Sequence, residues 1–193
     1  DGNGGDDQIG GYDGNDDLRG GDGDDDLRGD GADDTLTGDW YVVQGYNPTY
    51  DCFQCAKQAF DTKGNLVDYS AMFGMIDKKG DLIWPSSSYS GTRNADGKTV
   101  YLATTDFGLP DEETWYVMHR SEDTLVIYYC GDVLTWHFEG LLVMSSTTEL
   151  NPEKADIVES IVTSLGFTDD QLCSLNPADA CKDAPTTPAE FIQ

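Results

Sequence analysis

The chain has 193 residues, 37 Asp and Glu against 11 Lys and Arg, and a formal net charge of -26. Such a polyanion repels nucleic acid and anionic membrane surfaces, so nucleic acid is not an expected partner. No apolar run approaches the ~18–20 residues of a membrane span, which leaves peripheral contact as the most a membrane would receive.

Residues 1–37 form an internal repeat. Their only large aliphatics, Ile9, Leu18, Leu27 and Leu36, keep one fixed interval, as do Gly2, Gly11, Gly20 and Gly29 and also Asp7, Asp16, Asp25 and Asp34. A fixed short period marks a repeat architecture rather than mere low complexity. The unit resembles the RTX nonapeptide G-G-x-G-x-D-x-U-x. Residues 20–28 fit every position, and the other copies depart at Asn3, Tyr12, Asp30 and Ala32. The resemblance implies tight glycine turns, an inward aliphatic on each short strand, and carboxylates with backbone carbonyls as hard ligands for calcium. The candidate calcium ligands are Asp16, Asp25 and Asp34. Without a cation the carboxylates repel, and the alternative is an acidic, unstructured arm.

Composition changes at Gly38. Alternating aromatic and β-branched residues predict strands near 40–45, 52–61, 66–76, 81–87, 99–104, 114–120, 124–130 and 135–144. The turn signals TKGN, KKGD, NADGK, LPDEE, RSED and CGDV separate them. Eight short strands joined mostly by tight turns predict an up-and-down antiparallel barrel. ELNPEKADIVESIVTSLGF then reads as one helix, capped by Asn151, opened by Pro152 and ended by Gly166. Ile157, Ile161, Val162 and Leu165 form its apolar face, expected to pack on the outside of the barrel. The expected division is 1–37 for the acidic repeats and 38–193 for the barrel, helix and tail.

Five cysteines stand at Cys52, Cys55, Cys130, Cys173 and Cys181. The C-x-x-C spacing of Cys52 and Cys55 by itself fits a redox or zinc site. No second C-x-x-C follows, and the only histidines are His119 and His137, which disfavours zinc. A disulfide from this pair to the C-terminal cysteines is the favoured reading and places the protein in an oxidising compartment. The odd count leaves at least one thiol free.

Gly38-Asp39-Trp40 at the first strand, followed by eight strands and a helix, resembles the lipocalin plan. GDWYVVQGYNPTYDCFQC at 38–55 is similar to the opening of the lipocalin domain of the violaxanthin de-epoxidase family. TWYVMHRSEDTLVIYYCG at 114–131 resembles that family's later strand pair. The resemblance covers about 38–181 and leaves out the repeats. It implies a lipocalin-like eight-stranded barrel, mainly β, with a C-terminal helix. It also implies a carotenoid ligand and a chloroplast thylakoid lumen location. In an active member ascorbate would be the reductant. Epoxide opening needs a protonated acid beside the epoxide oxygen. The resemblance places Glu113 and Tyr129 in that role, matches Asp51 to a further family carboxylate, and implies a bridge from Cys55 to Cys181.

The departures point away from catalysis. Gln58 and Asp61 stand where the family enzyme has two histidines, Cys130 stands where it has an arginine, and the repeats stand where it has a cysteine-rich domain. The expected function is thus a non-catalytic module that binds a carotenoid or lipid, or attaches to a photosystem or light-harvesting complex. The alternative is an active xanthophyll de-epoxidase; a third reading is a calcium-responsive secreted protein with the barrel as passenger. Trp84, Tyr101, Tyr116, Tyr129 and Trp136 are the expected lining of a polyene pocket. Trp40 is expected to pack the barrel floor, and His119 to lie on a strand or the surface.

Overall fold

The computed structural model describes residues 8–11, 26–29, 36–48, 51–94, 99–106, 109–133 and 136–185. The chain divides into two units, residues 1–35 and 36–193. In the first, strands Gln8–Gly11 and Asp26–Gly29 pair in parallel, with Ile9 opposite Leu27. The partners are two repeat periods apart. Asp16, Asp25 and Asp34 lie outside the described residues.

The second unit is a closed antiparallel barrel. Its strands are β1 Gly38–Gly45, β2 Cys55–Lys63, β3 Leu66–Ile76, β4 Ser86–Arg93, β5 Thr99–Asp106, β6 Leu109–Arg120, β7 Thr124–Val133 and β8 Trp136–Ser145. Each pairs with the next, and β8 returns to β1 with Leu142 opposite Gly45 and Ser145 opposite Tyr41. That last pairing closes the sheet on itself.

Side-chain alternation divides the apolar residues between two cores. Leu125, Ile127 and Tyr129 of β7 face inward with Trp40, Val42, Phe60, Val67, Tyr69, Val100, Trp115 and Met144. Val126, between them, faces outward with Val43, Leu141 and Val143. Helix α1, Ala155–Ser164, covers this outer group through Val158 and Val162. Asn151 caps the preceding turn by accepting from the Glu153 N–H at 3.0 Å. No helix among the described residues is long and apolar enough to cross a membrane.

Three expectations need correction. The fourth strand runs over Ser86–Arg93, not 81–87. Leu82 and Ile83 extend only a short pairing with Ile76 and Met75, and Pro85, which has no N–H to donate, separates that pairing from β4. The strand that continues the sheet, SSSYSGTR, carries little of the hydrophobic alternation that marks strands. The buried stripe of α1 begins at Val158, so Ile157 is exposed, while Ile161 and Leu165 pack beside it. Val158, Ile161, Val162 and Leu165 follow the i, i+3, i+4, i+7 rhythm, and Ile157 falls one position off it. Leu36, the last aliphatic of the repeat, is buried in the barrel core.

Candidate functional site

The loop after β1 brings a carboxylate into the barrel. Asp51 N–H donates to the Asn47 carbonyl at 2.8 Å, and Asn47 N–H donates to Asp51 Oδ2 at 2.9 Å. The loop crosses β1 so closely that a Cβ on Gly45 would stand 2.5 Å from the Asp51 Cβ. The next residue, Cys52, is bridged to Cys173, and Cys55 to Cys181. Cys173 in turn pairs with Gly45 at the outer edge of β1. The second bridge is the one the family resemblance implies. Cys130 is the free thiol and is half-buried.

Across the interior, Tyr129 donates its hydroxyl to Asp51 Oδ1 at 2.6 Å, and both residues are buried. Tyr129 reaches inward because Gly140 stands opposite it on β8. A Cβ there would meet the tyrosine ring at 2.1 Å. A line of aromatic rings continues from the pair. Trp115 lies 6.0 Å from Tyr129, Tyr69 4.9 Å from Trp115, and Tyr89 stacks on Tyr69 at 5.8 Å. Phe60 and Phe138 complete this wall. Glu113 accepts the Trp115 indole N–H at 2.6 Å.

Burial dominates the electrostatics. It raises the Asp51 carboxyl to about 6, against the opposing pull of the Tyr129 hydroxyl and the Asn47 N–H, both of which favour the charged form. Burial and the neighbouring Asp51 push the Tyr129 phenol far above its ordinary range. Tyr69 is raised as well, first by burial and then by Glu113. The site can therefore hold a proton on Asp51 in mildly acidic solution, beside a phenol that stays neutral.

The expected site residues separate into groups. Asp51 and Tyr129 come together, and Glu113 lies on the same aromatic wall with its partner Trp115. Trp84 is half-buried, beside Gly74 and Cys55. Tyr101 and Tyr116 do not line the interior: they are 49% and 39% exposed on the outer surface. Their neighbours Val100, Leu102 and Trp115 take the inward positions, so alternation turns both tyrosines out. The Trp136 side chain lies outside the described residues, as do Asp16, Asp25 and Asp34. Among the described residues no three His, Cys, Asp or Glu stand together as a metal site. Sequence reasoning missed Tyr69, Trp115 and Gly140. The inward alternation of Trp115 and Tyr129 carried that signal; the close approach at Gly140 left none.

A closed eight-stranded antiparallel barrel with a helix on its outer wall is the lipocalin fold. The siderocalin Ex-FABP has a TM-score of 0.58 at 14% identity, covering 72% of this chain and 92% of its own. Insecticyanin from Manduca sexta also has 0.58, at 10% identity, covering 76% of this chain and 81% of its own. The family model described as VDE lipocalin domain matches residues 30–176, and the chain belongs to that family. It is 26% identical over 160 residues to violaxanthin de-epoxidase, chloroplastic, of Arabidopsis thaliana. That match covers 72% of this chain and 33% of the plant protein. The chain thus spans a third or less of the length of the curated relatives it matches.

Proposed function

We propose that the barrel holds an elongated, oxygen-bearing hydrophobic molecule of the carotenoid class without transforming it, on the lumen side of the chloroplast thylakoid. The observation that carries this reading is the buried Asp51–Tyr129 pair at the end of an aromatic wall. Flat rings offer a long conjugated chain dispersion and stacking contacts, and the pair offers a ring oxygen an acidic partner beside those rings. The family's relatives named as de-epoxidases and as chloroplastic supply the ligand class and the compartment. Docking to a photosystem or light-harvesting complex stays within this proposal, as the way such a carrier would be placed.

One observation favours a second reading, an active xanthophyll de-epoxidase using ascorbate. Asp51 takes up its proton at about 6, where a general acid is most useful in an acidified compartment. It accepts the Tyr129 hydroxyl at 2.6 Å, whereas Glu113 accepts the Trp115 indole N–H, so the acid would be Asp51 rather than Glu113. The deciding experiment incubates the protein with violaxanthin, lipid and ascorbate at about pH 5, below the Asp51 transition. Binding with the epoxides intact is the expected result. Conversion to zeaxanthin that disappears in Asp51→Asn would establish the enzyme instead.

A further inference from the structure

Strand β3 runs on past the barrel wall. Its pairing with β2 ends at Gly74 opposite Cys55, and its pairing with β4 covers only Leu66 to Met72. Beyond them the chain continues as a narrow ribbon, in which Met75 pairs with Ile83 and Ile76 with Leu82. Met75 is 38%, Ile83 41%, Ile76 57% and Leu82 43% exposed. None of the four belongs to the inner or the outer core. Register partners share one face of a ribbon, and neighbours along a strand take opposite faces. Met75 and Ile83 thus make one face apolar, and Ile76 and Leu82 the other.

The turn at the end of the ribbon presents lysines. The Asp77 carboxylate is held inside the turn, where it accepts the Lys79 N–H at 2.7 Å and the Asp81 N–H at 2.9 Å. The Asp77 N–H donates to the Asp81 carbonyl at 2.8 Å and shuts the loop. Lys78 and Lys79 are exposed and make no ion pair among the described residues. They offset Asp77 and Asp81, so this stretch is neutral in a chain of net charge -26. Trp84, half-buried against Gly74, stands where the ribbon leaves the wall.

We infer that the ribbon from Met75 to Ile83 docks the protein on the surface of a lipid bilayer. Exposed apolar patches beside polar groups mark contacts with proteins or membranes. Two features favour lipid. A stable protein partner needs about 20–30 residues on each side, far more than this ribbon offers, whereas a bilayer requires no shaped complement. A flat protein surface would also cover one face of the ribbon, while lipid surrounds both. Lying in the interface, the ribbon sets its apolar side chains at the acyl boundary, and the lysine ammoniums reach the headgroup phosphates. The acidic remainder of the chain is repelled by anionic lipid, which confines attachment to this neutral, lysine-tipped point. Docking there orients the barrel. Phe53, in the same loop as Asp51, lies 4.7 Å from Phe73 at the base of the ribbon, so the Asp51 loop sits at the end that meets the lipid. The inference goes beyond the carrier reading and does not depend on it.

The test is flotation of the full chain with vesicles of phosphatidylcholine alone and of phosphatidylcholine with phosphatidylglycerol. It is run at about pH 7, where exposed carboxylates are ionised, with near-UV circular dichroism to confirm each fold. Wild type should float with both vesicles. Ile76→Ser with Leu82→Ser should weaken both interactions by roughly 10-fold or more, the scale of withdrawing apolar side chains from lipid. Lys78→Gln with Lys79→Gln should weaken binding to the anionic vesicles by roughly 10-fold and leave the neutral ones nearly unchanged. This pair carries the test if the serine variant misfolds. Leu66→Ser, at the other end of β3 with the same 57% exposure as Ile76, should float like wild type. No flotation of wild type, undiminished binding by both double variants, or an equal loss in Leu66→Ser overturns the lipid site. Wild type that ignores vesicles but self-associates in sedimentation, with the serine variant monomeric, overturns it too and assigns the ribbon to a second copy of the chain. Carotenoid binding in solution is measured separately, so the two readings fail independently.

Discussion

Tyr129 donates its hydroxyl to Asp51 at 2.6 Å, across 78 residues of sequence. The bond joins the loop after the first strand to the seventh strand, and two glycines make room for it. Gly45 lets the loop cross β1, and Gly140 leaves space for the tyrosine ring. In the barrel interior the pair sets a titratable acid against a wall of aromatic rings.

The raised Asp51 carboxyl makes stability depend on pH in a defined direction. The folded state holds the proton up to about 6 and the unfolded chain releases it near 3.8. Between those values the native state binds more protons, so this contribution is complete below the unfolded value and is lost as pH rises through the folded one. The size is on the order of 3 kcal/mol. Tyr129, Glu113 and Tyr69 face the same region, and the many surface carboxylates titrate too, so the quantity to read is a difference. Urea unfolding of wild type and Asp51→Asn at pH values on either side of this window should show a steeper loss in wild type. Parallel pH profiles would remove Asp51 from the account.

Gly140→Ala should displace Tyr129. The new methyl would overlap the ring, and β8 is held by pairing on both sides, so the tyrosine must swing away. Overpacking of this kind costs about 1–3 kcal/mol. Thermal melts should drop accordingly, and the pH profile should lose the Asp51 signature along with the hydrogen bond. A variant with wild-type stability would show that the tyrosine has another place to go.

The bridge Cys52–Cys173 fixes the residue next to Asp51 to the C-terminal segment, closing a sequence separation of 121. Replacing both cysteines with alanine should cost about 2–5 kcal/mol. It should also loosen the Asp51 loop and weaken the pH dependence described above. The matching change at Cys55 and Cys181 should lower stability with less effect on that pH dependence. Equal effects from the two pairs would mean that the loop is not held locally.

The repeat segment should respond to calcium. The parallel register of Ile9 with Leu27 spans two nine-residue periods, as stacked coils of the repeat would require. Calcium titration of the full chain should increase the far-UV β signal. Asp16→Asn, Asp25→Asn and Asp34→Asn together should blunt the response. A spectrum indifferent to calcium would leave the segment as an acidic arm.

Much of the fold was legible in the sequence because period-two alternation and turn signals mark individual strands. The barrel, the helix with its cap, and Cys55–Cys181 were all expected. The fourth strand escaped because serines occupy half of β4, and the sheet there is held by backbone pairing that leaves little hydrophobic pattern. Tyr101 and Tyr116 were assigned to the interior from residue type, but their neighbours Val100 and Trp115 occupy the inward phase. The Asp51–Tyr129 bond was not legible, although both residues were named. Nothing local records that a loop crosses Gly45 to meet a strand far along the chain.

The visible absorption spectrum of the protein isolated from its native source tests the central claim most directly. The account predicts a polyene band that travels with the protein and yields an intact carotenoid on extraction. A colourless protein that also fails to take up carotenoid on reconstitution would contradict it.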